Sequence, residues 1–159
     1  RFALWAPTAR EVALVLDGEE RPMPEAGGGW RRLVAPEARP ESRYAYRIDG
    51  GLVVPDPASR FQPDDVHKAS CVVDPNAYRW SDAGWTGRPW EEAVLYEVHV
   101  GTATPEGTYA GLTAKLETLR DLGITAVELL PLSEFPGRRN WGYDGVLPFA
   151  PDSAYGPPE

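Results

Sequence analysis

Two nearly continuous apolar runs, Val94–Val100 and Ile124–Leu130, bracket a segment in which Leu112, Leu116, Leu119 and Leu122 recur on one helical face. A strand that never alternates with polar residues is one covered on both faces. Two such strands joined through a helix run parallel, because only a crossover connection returns the chain in the same direction. Thr108 is placed to cap the helix and Gly123 to stop it. This half of the chain is therefore predicted to fold as a β-α-β unit. Ligands of such units gather at the carboxyl ends of the strands. The second strand runs directly into the long segment Pro131–Glu159, where no helical or strand period is visible.

The first half obeys a different period. Val12, Leu14 and Leu16 alternate with their neighbours up to a turn at Asp17-Gly18, and Tyr44, Tyr46 and Ile48 alternate up to Asp49-Gly50-Gly51. Short strands are also expected at Trp30–Val34, Leu52–Val54 and Cys71–Val73. Turn signals at this spacing predict an immunoglobulin-like β-sandwich. The aromatic, turn-rich stretch Asp74–Pro89 separates the halves, so residues 1–82 are assigned to the sandwich and 83–159 to the β-α-β unit. The fold class is thus multidomain, β followed by α/β.

Charge narrows the partners. The net charge is −8 and the isoelectric point about 4.8, which disfavours nucleic acid and anionic membranes. No apolar run reaches the roughly 18 residues of a membrane span, and no signal peptide opens the sequence, so a cytoplasmic location is expected. The single cysteine, Cys71, lies among apolar neighbours and reads as a small buried hydrophobe. His67 and His99 are the two histidines, too few to suggest a metal site, and no cofactor is expected.

The segment Glu134–Gly145, "EFPGRRNWGYDG", concentrates unusual chemistry. Trp141 and Tyr143 offer flat rings that can stack on the C–H face of a pyranose. Arg138, Arg139, Asn140 and Asp144 supply donors and acceptors suited to hydroxyl groups. The composition fits a sugar-binding loop, and it also fits a loop packed on its own domain.

This run resembles the loop after the second barrel strand in the α-amylase superfamily of glycoside hydrolases, and within it the malto-oligosyltrehalose trehalohydrolase family. "VLYEVHVGT", "TPEGTYAGL" and "LRDLGITAVELLPLSEF" resemble that family's first strand, first helix and second strand, in order. "FALWAPTAREVALVL" and "VPDPASRFQP" resemble its N-terminal sandwich. The resemblance covers essentially the whole chain. It implies that residues 83–159 begin a (β/α)8 TIM barrel, truncated after its second strand. It implies that Tyr143 stacks on the sugar at the non-reducing side of the cleaved bond, with Trp141, Asn140 and Asp144 lining the same subsites. It implies retaining hydrolysis of the α-1,4 bond beside the terminal trehalose of malto-oligosyltrehalose. Glycogen branching or debranching is the alternative within the superfamily, and a non-catalytic α-glucan-binding fragment is the alternative outside it. The family's catalytic carboxylates sit on the fourth, fifth and seventh strands, so no catalytic residue is assigned in this segment.

Other residues attract attention without a role. Glu97 and Glu128 lie mid-strand and read as structural, as does His99. Trp5, Trp30 and Tyr44 are candidates for an exposed aromatic platform on the sandwich, although packing against the barrel is the favoured use of that module. A closed barrel takes about 250 residues, so the rest of its own barrel is an expected partner and the residues after Pro131 are expected to be poorly ordered alone.

Overall fold

The computed structural model describes residues 1–158. The strands of the first half are β1 (Phe2–Trp5), β2 (Val12–Leu16), β3 (Glu19–Pro22), β4 (Trp30–Leu33), β5 (Arg43–Ile48), β6 (Val53–Val54) and β7 (Ser70–Cys71). β1 and β4 form one antiparallel sheet; the other has the order β3-β2-β5-β6, with β7 also paired to β5. Asp17 and Gly18, both at positive φ, make the two-residue turn between β2 and β3. That conformation matches the right-handed twist of the flanking strands.

Alternation decides which side chains face inward. Val12, Leu14 and Leu16 of β2 and Tyr44 and Tyr46 of β5 pack against Phe2 and Leu4 of β1 in one buried cluster. Tyr44, expected above as a platform residue, is only 8% exposed. Its register on β5 points it into the core beside Tyr46, so it contributes to no outer surface. The Tyr44 hydroxyl donates to Oδ2 of the buried Asp56 at 3.0 Å, and the Tyr46 hydroxyl shares its hydrogen between that oxygen at 3.4 Å and the Ala3 carbonyl at 3.3 Å. Asp56 Oδ1 accepts from the Ala58 amide at 2.8 Å, while its own amide donates to Ser70 Oγ at 3.0 Å. Burial, reinforced by the Asp56 charge, pushes both phenols well above their ordinary range. They therefore stay protonated donors, as this network requires.

The second half begins with a 3-10 turn at Trp90–Glu92, followed by β8 (Leu95–His99), α1 (Val100–Ala103), α2 (Tyr109–Thr113), α3 (Leu116–Leu122) and β9 (Ala126–Leu130). β8 and β9 are parallel as expected, with Leu95 opposite Ala126 and His99 opposite Leu130. Thr108 caps α2 by accepting from the Gly111 amide at 3.1 Å, and Gly123 ends α3 at φ +99°. The single helix expected between them is two short ones, because the chain turns at Ala114-Lys115. Leu112 is buried, but Leu122 is 75% exposed. Coverage on both strand faces is likewise incomplete. Leu95, Tyr96, Glu97, Glu128 and Leu129 are exposed, with nothing among the described residues lying over them.

The stretch after Pro131 departs further from expectation. It contains β10 (Ser133–Glu134), β11 (Leu147–Pro151) and a 3-10 turn at Ser153–Tyr155. Two-residue strands are too short to leave a period, and Pro148 and Pro151 disguise β11. Among the described residues no helix is long and apolar enough to cross a membrane.

Replacing Asp56 by Ala would remove the acceptor of the buried Tyr44 hydroxyl and of the Ala58 amide, while the Tyr46 hydroxyl keeps the Ala3 carbonyl. The substitution is expected to destabilise the sandwich by about 3 kcal/mol in urea unfolding, with Asp56→Asn costing less because it keeps an acceptor.

Candidate functional site

The loop carrying Trp141 and Tyr143 stands on β10 and β11, which pair antiparallel with Ser133 opposite Pro151 and Glu134 opposite Leu147. Its base is tied by two buried carboxylates. Glu134, 1% exposed, accepts from the amide of Ser153 at 2.8 Å and from its hydroxyl at 3.2 Å. Asp152, fully buried, accepts from the Phe135 amide at 3.2 Å and the Ala154 amide at 2.8 Å. Beneath them Phe135 and Tyr155 pack with Val98, Val100 and Leu112. Burial pushes the Glu134 carboxyl up to about 7 despite its bonds to Ser153, and the neighbouring Asp152 charge adds to the rise. Asp152 is also raised, by burial first and by the Asp65 charge.

Higher in the loop Asn140 acts as a clip. It is 4% exposed, and its Oδ1 accepts from the amides of Gly142, Tyr143 and Asp144 at 2.8, 3.1 and 3.3 Å. Asn residues fold a following turn in this way through their short side-chain carbonyl. The Asn140 backbone carbonyl lies 2.7 Å from His99 Nε2. An imidazole nitrogen facing a carbonyl must carry hydrogen, so Nε2–H donates and His99 fixes the loop to the end of β8. Gly142 sits at φ +117°, a backbone conformation that favours glycine, and a Cβ there would also press on the tip of the Leu130 side chain, 2.9 Å away.

The clip turns the rings outward. Trp141 is 84% and Tyr143 88% exposed, and Asp144, Arg138 and Arg139 are exposed beside them. A cavity of about 410 Å³ runs between His99, Thr102, Arg138, Arg139, Asn140 and Trp141. Of the residues singled out from sequence, Trp141, Tyr143 and Asp144 are thus exposed, with Trp141 lining that cavity, and the buried Asn140 holds the backbone of Tyr143 and Asp144. Glu97 and Glu128 stand directly opposite each other on β8 and β9. Among the described residues no three His, Cys, Asp or Glu side chains gather as metal ligands. Sequence reasoning passed over the tie formed by Glu134 and Asp152. The available signal was Asp152 before Ser153-Ala154, an acid that can cap the following turn.

Comparison with known proteins bears on both halves. Residues 1–77 match the family model for carbohydrate-binding module 48, the isoamylase N-terminal domain. The match covers just under half of the chain. The whole chain is 48% identical to a malto-oligosyltrehalose trehalohydrolase from Deinococcus radiodurans over 159 residues, all of this chain and 26% of the relative. It is 37% identical to a 1,4-alpha-glucan branching enzyme from Ralstonia nicotianae, covering all of this chain and 24% of that enzyme. A crystal structure from Salmonella typhimurium, described as an alpha amylase, superposes with a TM-score of 0.94 at 49% identity, over 99% of this chain and 27% of that one. A pullulanase from Paenibacillus barengoltzii, solved with maltohexaose and alpha-cyclodextrin, superposes with a TM-score of 0.78 at 27% identity, over 97% of this chain and 30% of that one. The chain spans about a quarter of the length of the trehalohydrolase, and it corresponds to that protein's N-terminal part.

On the module, Trp5 and Trp30 are cross-strand partners, 60% and 40% exposed, on the outer face of the β1–β4 sheet. Directly opposed residues share a face, so the two rings form a small aromatic surface. Trp5 Nε1 is anchored by donating to the Gly28 carbonyl at 3.1 Å, and the Arg32 guanidinium lies 5.6 Å from the Trp30 ring centre.

The Glu134 tie carries a pH signature. A carboxyl raised from 4.5 to about 7 holds its proton more tightly in the folded state. Its contribution to stability is complete below its unfolded value and is lost as pH rises towards about 7. Glu134→Gln keeps one acceptor and removes the titration. Thermal unfolding at about pH 5 and about pH 8 should show the loss across that interval shrinking by on the order of 2 kcal/mol in this variant.

Proposed function

We propose that the protein carrying this chain hydrolyses the α-1,4-glucosidic bond next to the terminal trehalose of malto-oligosyltrehalose, releasing trehalose. The observation that carries the reading is the outward pair Trp141 and Tyr143, held by the Asn140 clip at the carboxyl end of β9. The extent of identity to a trehalohydrolase supports it. In this reading β8, the helical crossover and β9 open a (β/α)8 barrel, and residues 83–159 are its beginning. Tyr143 stacks on the sugar at the non-reducing side of the scissile bond. Trp141 extends the stacking surface, Asp144 accepts from sugar hydroxyls, and Asn140 shapes the subsite from below.

The chemistry proposed is retaining hydrolysis by a pair of carboxylates, one acting as nucleophile and one as acid. No residue of this chain is given either role. Its part is to orient glucan, and an apolar ring beneath a pyranose does so without competing for the reacting oxygens. The protein is read as cytoplasmic, acting on α-glucan substrates without a cofactor.

The branching-enzyme relative keeps one second reading in view, transfer of a glucan chain rather than hydrolysis. Incubating the protein that carries this chain with malto-oligosyltrehalose separates the two. Free trehalose is the expected product; a shifted iodine–glucan colour with no trehalose would mean glucan transfer. Tyr143→Ala is expected to lower kcat/KM by about 10- to 100-fold, the scale of one lost stacking surface, without changing the melting temperature.

A further inference from the structure

The module and the loop meet at one residue that neither half explains. Asp65 lies in the turn before β7, yet its Oδ2 accepts a hydrogen bond from the Gly137 amide at 3.0 Å, across 72 residues of sequence. Gly137 is in the ascending limb of the loop, three residues before the Asn140 clip. Asp65 reaches it from a left-handed backbone conformation, φ +101°, which is costly for a residue with a Cβ. Strain of this kind persists only where the surroundings impose it.

The surroundings here do impose it. Gln62 is fully buried, and its Nε2 donates to the carbonyls of Asp65 and Lys68, both at 3.2 Å. The Lys68 amide donates to the same Asp65 carbonyl at 3.1 Å. Val66 is buried, and Asp64 pairs with Arg43 of β5 at 2.8 Å. The turn is thus fastened to the module on both sides of Asp65, leaving that one carboxylate projecting towards the loop. The receiving end is also prepared: Gly137 adopts φ +85°, which presents its amide at this point of the turn.

We infer that Asp65 is a positioning residue for the substrate loop: the module uses it to set the height and tilt of Trp141 and Tyr143. The inference rests on the reading that this loop binds α-glucan. It gives the module a task separate from holding sugar on its own Trp5–Trp30 surface. The loop then has three holds: the carboxylate tie at its base, His99 on the Asn140 carbonyl, and Asp65 on Gly137. The first two belong to the β-α-β half. Of these three holds, the third ties loop geometry to the module.

The test uses three variants in the protein that carries this chain. Asp65→Gly suits the left-handed backbone and removes only the carboxylate, so misfolding is not its expected effect. Asp65→Asn keeps an acceptor oxygen. Asp65→Ala removes the carboxylate and keeps the strain. In Asp65→Gly, hydrogen exchange at Gly137 and Gly142–Asp144 should quicken by about tenfold, the scale of one lost hydrogen bond, with Leu14 and Tyr46 amides unchanged. With malto-oligosyltrehalose, KM should rise by about three- to tenfold and kcat should stay within about twofold, while Asp65→Asn tracks the parent in both measurements. Asp65→Ala should repeat the loop exchange of Asp65→Gly and melt at a lower temperature. Parent-like loop exchange in Asp65→Gly, or faster exchange with an unmoved KM, would overturn the inference. The exchange measurement needs no substrate, so a parent that releases no trehalose defeats the functional reading and leaves the Asp65 contact to be judged on its own.

Discussion

A carboxylate is costly to bury unless amides turn towards it, and the loop of this protein depends on two that meet the condition reciprocally. Glu134, on the strand entering the loop, binds Ser153 on the far side. Asp152, on the far side, binds the Phe135 amide on the entering strand. Each end of the loop therefore holds the other; if the ends separate, Glu134 loses both its Ser153 bonds and Asp152 keeps only the local Ala154 amide. Phe135 and Tyr155 seal the pair from below with apolar surface. This closure allows a dozen residues rich in glycine and arginine to stand in one shape, and the outward rings of Trp141 and Tyr143 follow from it.

The module solves a related problem with opposite chemistry. Its two sheets are held mainly by alternating apolar side chains, and the single acid between them, Asp56, is matched with two phenols that burial keeps protonated. The phenols turn an otherwise unpaired charge into a cross-link between β5 and the segment before β7. Under the loop, burial raises the Glu134 carboxyl to about 7 and raises Asp152 as well, whereas here it is the phenols that burial holds protonated. The Asp65–Gly137 hydrogen bond joins the two halves.

Much of this was legible in the residues, and the failures have physical causes. Strict alternation in Val12–Leu16 and Tyr44–Ile48 identified buried strands, and the apolar runs Val94–Val100 and Ile124–Leu130 identified a parallel pair. Alternation says which residues share a face but not which face is outward, so Tyr44 stands as a candidate for the outer platform until its core position is seen. The leucine spacing from Leu112 to Leu122 suggested one helix, because a local turn at Ala114-Lys115 leaves that spacing almost intact. The loop's composition announced its chemistry, yet its architecture was hidden. Glu134 pairing with Ser153, or Asp65 with Gly137, is a long-range match of one acid to one amide, and no period or spacing records it.

The tryptophans have a consequence for how this protein can be observed. All six are exposed: Trp5, Trp30, Trp80, Trp85, Trp90 and Trp141. The buried aromatic rings are phenols and phenylalanines instead. Intrinsic indole emission from this chain therefore arises at the water boundary. It is expected to be red-shifted already in the native state and to change little when the core melts. Tyrosine absorbance and near-ultraviolet dichroism are the optical windows on folding, while the indole signal stays free to register whatever settles on the outside of the molecule.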